Sequence, residues 1–497
     1  MSIFKEIKEK SKVYPNKIAI ILRKKKLTYS QLVDEVDAVT NYFISLKIKA
    51  NDKIGLVENN TIEFIITFLA ISNIGAVVVP LNTTYTKKII YENFKKLKIT
   101  NLIIWYKYSN YFIKKLKLKN LITTEKKIKN LKFFNNYKKY KNSKKKTTST
   151  MKQGDFLIVL TSGSTSNPKP IVLNQKTKIL RSKAMRKLYK IDKNDIILTA
   201  SPLDHSLGQR LLILPLLVGG TSIILDTFTI HNFYEAVKKY KVTFTILVSN
   251  QINELLKNNN KFKKLNLKKG LVSASSKLSN NVKSKLLKKN FNIYEMYGVS
   301  EIGTVTSICI NKDIKNFKSV GKECSNAEIK ILSNDNKFLK RKERGEIVCR
   351  TPLRFTKYFN LNKLTDDSFF KNYFKTGDIG YLDKNKYLYY LGRKKNIIKI
   401  SGISVYPEDI ETIVLQNKNI SEAAVINFVE KNGLEKFVLC VVIKYKKYDK
   451  KKLYYYCQEN LTSFQQPTRI FFLKSLPKTK LGKINKPKLK LNIKNQL

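Results

Sequence analysis

The chain is poor in the residues that build metal centres and disulfide frameworks. Its 497 residues include two histidines, His205 and His231, and five cysteines without paired spacing. Two histidines cannot form a histidine-rich metal centre, and an odd number of scattered cysteines favours free thiols in a reducing compartment. The sequence therefore predicts neither a disulfide-stabilised fold nor a metal site built on cysteine and histidine.

Acidic residues are also scarce. Asp and Glu number 37 against 97 Lys and Arg, which gives a formal net charge of +60 at pH 7. Such a charge suggests a protein that binds nucleic acid or another polyanion. However, only ten of the basic residues are arginine, the usual reader of bases and phosphates, and the lysines are spread along the whole chain. We therefore expect no specific nucleic-acid partner, and a polyanion-binding protein is the alternative from another functional class.

Long apolar runs are missing as well. The most apolar segment, residues 211–225, is interrupted by Pro215 and by two consecutive glycines, and it is shorter than the ~20 residues that a membrane-spanning helix needs. The first ten residues are charged and lack the apolar core of a signal peptide. We expect a cytoplasmic protein without a transmembrane segment, either a monomer or a homodimer.

The rest of the composition is that of a globular protein with more than one domain. The apolar fraction is 42%, and 497 residues exceed what a single core accommodates. Near the N-terminus the patterns alternate, and they predict strands at 17–22, 54–57 and 76–80 and helices at 30–43, capped by Ser30, and at 61–71. This rhythm predicts a parallel sheet with helices on both faces. Residues 320–395 read as short strands, and the last hundred residues as a separate small α/β unit.

The most informative stretch follows an apolar strand predicted at 156–160. It consists of small hydroxyl residues, one glycine and a nearby lysine: Thr161, Ser162, Gly163, Ser164, Thr165 and Lys169. Hydroxyls, backbone N–H groups and one cation can surround an anion, whereas such a run cannot build a core. It is not the usual P-loop, because Pro168 stands where the second glycine should be. The residues predict either a polyphosphate site of another type or a surface turn rich in Ser and Thr.

Other chemistry-bearing residues come later in the chain. Asp204 and His205 follow a predicted strand, at the edge where open α/β sheets bind ligands. Tyr297 offers an aromatic face to adenine, and Glu301 a carboxylate that can hold Mg²⁺ beside a triphosphate. The Asp378 carboxylate can accept hydrogen bonds from two vicinal hydroxyls. Taken singly, each also fits a structural explanation: a core histidine, a buried tyrosine pair, a turn.

Together the motifs resemble the adenylate-forming superfamily of acyl-CoA synthetases, adenylation domains and luciferases. The resemblance covers roughly residues 15–490. Residues 161–170 are similar to T-S-G-[ST]-T-G-x-P-K-G, with Ser166 and Pro170 in place of two glycines. The other matches are Y-G-x-[ST]-E at 297–301, T-G-D at 376–378, G-R-x-[DK]-x-x-I-K at 392–399 and P-K-T-x-x-G-K-I at 477–484. Each motif alone is weak, but the ordered set is specific.

The resemblance implies a fold and a domain division. The fold is α/β, with a large N-terminal domain of parallel α/β subdomains and a small β-rich subdomain. A small, mobile α/β C-terminal domain follows and turns about a hinge at Lys395. The implied boundary separates residues 1–394, the AMP-binding domain, from residues 395–497, which carry the catalytic lysine.

The resemblance also implies residue roles. The ATP- and AMP-binding residues are Thr161, Ser162, Gly163, Ser164, Thr165, Lys169, Tyr297, Gly298, Ser300, Asp378 and Arg393. Two residues are implied to be catalytic: Glu301, which holds Mg²⁺, and Lys483, which neutralises charge between the reacting carboxylate and the α-phosphate. Gly402 faces the thiol acceptor, which is coenzyme A or the phosphopantetheine of a carrier protein.

The implied reaction is activation of a carboxylic acid with ATP to an acyl-adenylate, with release of pyrophosphate and transfer of the acyl group to a thiol, in first place coenzyme A. Asp204 and His205 are assigned to the acyl pocket, and they leave the acid open. His205 matches acyl-CoA synthetases, whereas Asp204 fits relatives that hold a substrate amine. We favour an unsubstituted fatty or aryl acid, and hence fatty acid metabolism. The alternative is an amino-acid or acyl adenylation enzyme that loads a separate carrier protein.

Overall fold

The computed structural model describes residues 2–81, 83, 85–113, 115–141, 154–160, 169–257, 261–262, 264–400, 403–430, 435–445, 448–479 and 482–496. The helices in these ranges are α1 Ile3–Val13, α2 Tyr29–Ser45, α3 Ile62–Ile74, α4 Lys87–Lys96, α5 Tyr106–Ile113, α6 Gln175–Tyr189, α7 Ser206–Val218, α8 Ile230–Tyr240, α9 Ser249–Lys257, α10 Asn280–Leu286, α11 Asn362–Asp367, α12 Pro407–Val414, α13 Lys451–Asn460 and α14 Lys486–Ile493. None of these helices combines the length and the apolar character that crossing a bilayer would take.

The strands in the same ranges are, in chain order, β1 Ile18–Leu22, β2 Lys25–Thr28, β3 Lys53–Val57, β4 Val77–Leu81, β5 Asn101–Trp105, β6 Asn120–Thr124, β7 Lys132–Phe133, β8 Asp155–Leu160, β9 Pro170–Asn174, β10 Ile196–Thr199, β11 Thr221–Ile224, β12 Phe244–Val248, β13 Gly270–Ala274, β14 Ile293–Val299, β15 Gly303–Cys309, β16 Lys322–Glu323, β17 Glu328–Leu332, β18 Gly345–Arg350, β19 Lys357–Tyr358, β20 Phe369–Phe370, β21 Tyr373–Leu382, β22 Leu388–Arg393, β23 Ile398–Ile400, β24 Ile403–Val405, β25 Ile420–Val429, β26 Glu435–Ile443 and β27 Ile470–Phe472.

Two large, mainly parallel sheets form the first part of the molecule. The first has the order β19-β9-β8-β4-β3-β5-β6-β7, parallel from β8 to β7. The second has the order β16-β15-β14-β13-β12-β10-β11-β1-β2, parallel from β14 to β1. Strands β4 and β12 are buried at every position, as strands covered on both faces must be. The predicted parallel sheets with helices on both faces are confirmed.

Two helices join these sheets. Helices α3 and α7 are buried on almost all sides, and they share one apolar core with strands of both sheets. A helix that is apolar all round is what packing between two layers requires. The start of α7 is thereby fixed at the edge where the parallel strands end.

The later part of the chain is built differently. Strands β17, β18, β20, β21 and β22 form an antiparallel sheet, the β-rich region that the sequence predicts. Beyond it, β25, β26 and β27 form a small sheet, and α12 and α13 contribute to its own apolar core. The large first domain and the small α/β C-terminal domain are therefore both present.

One predicted helix start is wrong. The Thr28 hydroxyl accepts a hydrogen bond from the Gln31 N–H at 3.2 Å, and the Gln31 side chain accepts one from the Thr28 N–H at 3.0 Å. Thr28, not Ser30, is therefore the N-cap of α2, which begins at Tyr29. The reciprocal T-x-x-Q pattern satisfies two backbone donors at once, an advantage that a lone serine does not have.

Candidate active site

A cavity of about 1130 Å³ opens between the large domain and the C-terminal domain. Ser201, Ala274 and Val299, which end or follow three parallel strands, contribute to its wall. Open parallel sheets bind ligands at this edge. The predicted site residues that line the cavity are Lys169, His205, Tyr297, Gly298, Ser300, Glu301, Arg393, Lys395 and Lys483.

The turn that carries Glu301 is held from behind by an arginine. The Arg181 guanidinium, on α6, donates to the backbone carbonyls of Leu353, Ser300 and Glu301 at 2.9, 3.0 and 2.9 Å. Three carbonyls on different segments match the fixed fork of a guanidinium, which a lysine cannot imitate. Arg181 is not among the residues predicted from the sequence, although an arginine within a helix of a lysine-dominated chain was a usable signal.

A tyrosine outside the motifs orients the Glu301 side chain. The Tyr358 hydroxyl donates to Glu301 Oε1 at 2.8 Å, and the Lys169 ammonium lies 5.2 Å from the centre of the Tyr358 ring. Strand β19 brings Tyr358 to this position by pairing with β9, directly after Lys169. Burial and the neighbouring Glu301 carboxylate raise the pKa of Tyr358, so its hydroxyl keeps its proton and remains a donor.

Asp378, which is buried, forms a cluster with Tyr297 and the partly exposed Arg393. The Tyr297 hydroxyl donates to Asp378 Oδ2 at 2.7 Å, and Arg393 Nε lies 3.0 Å from Oδ1. Strands β21 and β22 place Asp378 and Arg393 opposite each other. Burial raises the pKa of Asp378, and Arg393, the Tyr297 hydroxyl and Lys483 oppose that shift.

The Asp378 carboxylate retains an unused acceptor. The ion-pair geometry does not make Oδ1 a hydrogen-bond acceptor of Arg393, and within the described ranges Oδ1 has no other donor. A ligand hydroxyl could supply that donor. Asp378 itself does not border the cavity, whereas Thr376, Gly377 and Arg393 beside it do.

Lys483 enters this cavity from the C-terminal domain. The Thr479 N–H donates to the Lys483 carbonyl at 2.7 Å, and the Gly482 N–H to the Thr479 carbonyl at 2.8 Å, which closes a tight turn around the lysine. Desolvation and the nearby Arg393 guanidinium lower the pKa of Lys483, while Asp378 acts in the opposite direction. The cluster of Asp378, Arg393 and Lys483 thus contains residues from both domains.

Two glycines allow this approach of the domains. A Cβ at Gly482, where φ is +73°, would lie 2.5 Å from Asn250 Cβ on α9. A Cβ at Gly392, where φ is +144°, would lie 2.2 Å from Glu408 Oε2 on α12. Next to Gly392, the Lys394 ammonium pairs with Glu346 at 2.8 Å. The chain is therefore closely packed just before the predicted hinge, Lys395.

The acyl-pocket residues Asp204 and His205 behave differently from each other. His205 precedes α7 and lines the cavity, whereas Asp204 is not one of its lining residues in the part of the chain that is described. The Asp204 carboxylate is buried, and its Oδ2 lies 3.7 Å from His205 Nε2. Burial raises the pKa of Tyr85, and the Asp204 charge adds to that shift. Among the described residues, His205 therefore borders the cavity and Asp204 does not.

The metal-binding capacity of the site is limited. No group of three or more Asp, Glu, His or Cys side chains among the described residues could enclose a metal ion. Glu301, whose carboxylate accepts the Tyr358 hydrogen bond, lines the cavity together with Lys169. Mg²⁺ commonly takes one or two protein carboxylates and completes its shell with water and phosphate oxygens. These donors fit Mg²⁺ that binds together with a nucleotide rather than a metal held by protein alone.

Several predicted residues lie outside the described residues. They are Thr161, Ser162, Gly163, Ser164 and Thr165 of the phosphate loop and Gly402 on the thiol-acceptor side. Strand β8 ends at Leu160 and β9 begins at Pro170, and both flanks border the cavity through Leu160 and Lys169. The roles of these residues stay predictions.

Known families match nearly the whole chain. The model of the family described as AMP-binding enzyme matches residues 7–359, and that of the AMP-binding enzyme C-terminal domain matches residues 409–483. A 2-succinylbenzoate–CoA ligase of Listeria monocytogenes is 24% identical over 485 residues, which are 97% of this chain and 98% of the relative.

Solved structures share the fold. The o-succinylbenzoate-CoA synthetase of Bacillus subtilis, in complex with an acyl-adenylate intermediate, has a TM-score of 0.85 at 21% identity and covers 99% of this chain and 98% of its own. ATP-bound MatB from Rhodopseudomonas palustris has a TM-score of 0.89 at 20% identity, with full coverage of both chains. Because the sequence identity is only 20–21%, these structural matches show a shared fold and nothing further.

Proposed function

This chain belongs to the family of AMP-binding enzymes, and we propose from that premise that it is an acid–thiol ligase. A carboxylate oxygen of the acid attacks the α-phosphorus of ATP in line, pyrophosphate leaves, and an acyl-adenylate forms. The thiol of coenzyme A then attacks the acyl carbon, and AMP leaves as the thioester forms. The relatives are named CoA ligases, which supports coenzyme A as the acceptor in preference to a carrier protein.

The observation that carries the proposal is the position of Lys483. This lysine belongs to the C-terminal domain, yet it lines the same cavity as Lys169 and Glu301. It also lies close enough to Asp378 and Arg393 for their charges to act on its pKa. An ammonium there neutralises the negative charge shared by the incoming carboxylate and the α-phosphate. Such catalysis needs positioning and charge rather than a nucleophilic side chain.

The other residues hold the nucleotide. Lys169 and the loop of Thr161 to Thr165 bind the phosphates, Tyr297 with its neighbours Gly298 and Ser300 borders the adenine, and Asp378 with Arg393 binds the ribose. Glu301 holds Mg²⁺, which supplies positive charge to the phosphate oxygens when bound. This assignment is supported by the convergence of Lys169, Tyr297, Glu301 and Arg393 on one cavity.

The two half-reactions use two arrangements of the domains. We place the boundary between residues 394 and 395, and the C-terminal domain, 395–497, turns about Lys395 after the adenylate has formed. That turn carries Lys483 out of the cavity and brings Gly402 to the thiol side. Domain closure about a few hinge residues is an established mode of conformational change.

The acid is an aryl acid in this proposal. The relatives named for 2-succinylbenzoate support the aryl half of the predicted choice, and none of the names given above concerns a fatty acid. An amino-acid substrate would need an acidic partner for its ammonium in the pocket, and Asp204 is not among the described residues that line it.

A panel of acids tests the proposal. The purified protein is incubated with ATP, Mg²⁺ and aryl, fatty or amino acids, and acid-dependent exchange of pyrophosphate into ATP is measured, followed by thioester formation with coenzyme A. We expect exchange with an aryl acid and loss of exchange when Mg²⁺ is chelated. Exchange with amino acids alone would contradict the choice of acid, and no acid-dependent exchange at all would contradict the function.

A further inference from the structure

Three buried cations surround the start of α7, and the proposed reaction uses none of them. Lys178 and Arg181 lie on α6 and Arg210 lies on α7, and their exposed fractions are 3%, 3% and 9%. Transferring a charged group out of water is costly unless an opposite charge or several hydrogen bonds compensate it. Buried cations of this kind therefore need an explanation.

The acceptors of these cations are neutral. Arg181 donates to three backbone carbonyls, the Arg210 guanidinium to Thr304 Oγ1 at 3.0 Å, and the Lys178 ammonium to Gln209 Oε1 at 3.1 Å. Within the ranges that the structure describes, no carboxylate lies within ion-pair distance of Lys178 or Arg210. Arg181 is compensated by its carbonyls, whereas Arg210 uses one of its five N–H donors.

The acidic groups nearby do not balance the cluster. Glu301 acts electrostatically on Arg181, but its carboxylate is held by Tyr358 in the cavity wall. Glu323 borders the far side of Arg210 and accepts a hydrogen bond from the Ile329 N–H at 3.0 Å. Neither of these carboxylates forms an ion pair with Arg210 within the described residues.

Arg210 is accessible to a ligand in the main cavity. Ser206, Leu207 and Arg210, on the first turns of α7, all line that cavity, and the residue before α7 makes no side-chain capping hydrogen bond. The N-terminus of a helix such as α7, which starts at Ser206 with His205 as its N-cap residue, attracts anions. Its first N–H groups lack acceptors, and its dipole is positive there. The guanidinium and the helix terminus thus act on the same part of the cavity.

A smaller cavity of about 290 Å³ lies behind Arg210. Arg181, Arg210, Thr304 and Asn326 line it, and the buried Asn326 amide nitrogen has no hydrogen-bond acceptor among the described residues. This side of Arg210 therefore offers a second unused donor. In contrast, Ala274 and Met296 give the main cavity near α7 an apolar surface that suits the body of an organic acid.

We propose that the acid substrate carries a second carboxylate, which binds to Arg210 at the first turn of α7 while the reacting carboxylate faces Lys483. This inference rests on the proposed function and narrows its substrate class to dicarboxylic acids. A carboxylate at Arg210 supplies the missing counter-charge and accepts a bidentate pair of N–H donors. Desolvation, Arg181 and Arg210 lower the pKa of Lys178, and a bound anion would oppose that effect.

Matched acid pairs test the inference. The first pair is 2-succinylbenzoate and 4-oxo-4-phenylbutanoate, which differ only in the ring carboxylate; the second is 3-(2-carboxyphenyl)propanoate and 3-phenylpropanoate. For wild type, we expect kcat/KM for pyrophosphate exchange to be about 100-fold higher with the diacid of at least one pair, since a charged hydrogen-bonding site discriminates against an analogue that lacks the group. Arg210→Met should reduce that preference to less than about 5-fold.

Arg186→Met is the matched control, because Arg186 is an exposed residue of α6 and should leave the preference intact. Equal use of both acids of each pair by wild type, or an unchanged preference in Arg210→Met, would overturn the second-carboxylate site while acid-dependent exchange still supports the ligase. If no acid supports exchange, the ligase proposal fails. The thermal shift caused by each diacid alone then decides about the site: it should be present in wild type and in Arg186→Met and lost in Arg210→Met, and its absence in wild type would overturn the inference.

Discussion

Tyrosine and arginine hold the site together in a chain whose usual polar residue is lysine. The Tyr358 hydroxyl fixes Glu301, and the Tyr297 hydroxyl fixes Asp378. The Arg181 guanidinium holds the turn that carries Glu301. A tyrosine buries a large ring and still donates one directed hydrogen bond, whereas a lysine brings a mobile point charge. The acidic side chains of this site are therefore held in place by tyrosine hydroxyls and an arginine guanidinium rather than by lysines.

Replacing Lys483 separates the half-reactions. Lys483→Ala should lower acid-dependent pyrophosphate exchange by about 10²–10³-fold or more, because one preorganised charge at the reacting atoms is lost. Thioester formation from a supplied acyl-adenylate should survive, since the proposed domain turn removes Lys483 from the cavity before that step. Lys474→Ala, an exposed lysine of the same domain, serves as the control. An equal fall in both half-reactions would contradict the proposed division of roles.

A buried carboxylate at Glu58 makes stability depend on pH. Glu58 follows β3 and accepts hydrogen bonds from the Thr124 and Thr61 hydroxyls, and burial raises its pKa from 4.5 to about 7. The folded state thus binds this proton more tightly than the unfolded state does. The resulting stabilisation is complete below pH 4.5 and is lost as the pH rises through 7, by about 3 kcal/mol at most.

Urea unfolding at pH 5 and pH 8 measures this effect. Wild type should lose more unfolding free energy between these values than Glu58→Gln, which has no proton to release. Glu92→Gln, at an exposed glutamate on α4, should keep the slope of wild type. Identical slopes for wild type and Glu58→Gln would contradict the assignment.

At the scale of elements, apolar strands and ordered motifs were predictable, and close contacts between distant segments were not. The strand predicted at 156–160 is observed as β8, Asp155–Leu160, because a short apolar run that ends at polar residues identifies a strand. Tyr358 escaped prediction because its role depends on the pairing of β19 with β9, far away in the chain. That Asp204 does not border the cavity among the described residues also depends on tertiary packing, which no local pattern encodes.

The turn around Gly482 is a sensitive element. Gly482→Ala should reduce adenylation by about 10–100-fold, because its Cβ meets Asn250 at 2.5 Å and pushes Lys483 away from the reacting atoms. The measurement is pyrophosphate exchange, with thioester formation from the adenylate as the internal control.

A second substitution identifies the cause. Asn250→Gly in the Gly482→Ala background should restore part of the lost rate by making room for the Cβ, although the strain of alanine at a φ of +73° remains. No recovery in the double variant would mean that backbone strain, rather than the contact with α9, causes the loss.

At the scale of the whole molecule, the predicted family, fold class and reaction class are confirmed by the matches over residues 7–359 and 409–483 and by the CoA ligases among the relatives. The net charge of +60 plays no part in that assignment. Arg181, Arg210 and Arg393 are engaged inside the molecule or at its cavity, so they are not available to read bases on a surface.

We expect binding to nucleic acid, if measured, to be weak and indifferent to sequence. Dispersed lysines make phosphate contacts only, and such contacts weaken steeply with salt. Fluorescence anisotropy with two unrelated DNA duplexes should give equal affinities at 50 mM salt and little binding at 300 mM. A preference between the duplexes that persists at the higher salt would restore the nucleic-acid interpretation.

The pairing of β1 with β11 affects how the protein is made. Ile20 pairs with Ser222 and Leu22 with Ile224, partners about 200 residues later in the chain. A ribosome adds ~5–20 residues per second, so the first hairpin waits about 10–40 s for its neighbour. During that time one edge of β1 has no partner within the chain, and such edges pair readily with other polypeptides. Slow or paused translation before residue 221 should therefore increase aggregation of the nascent chain, whereas a pause after residue 224 should not.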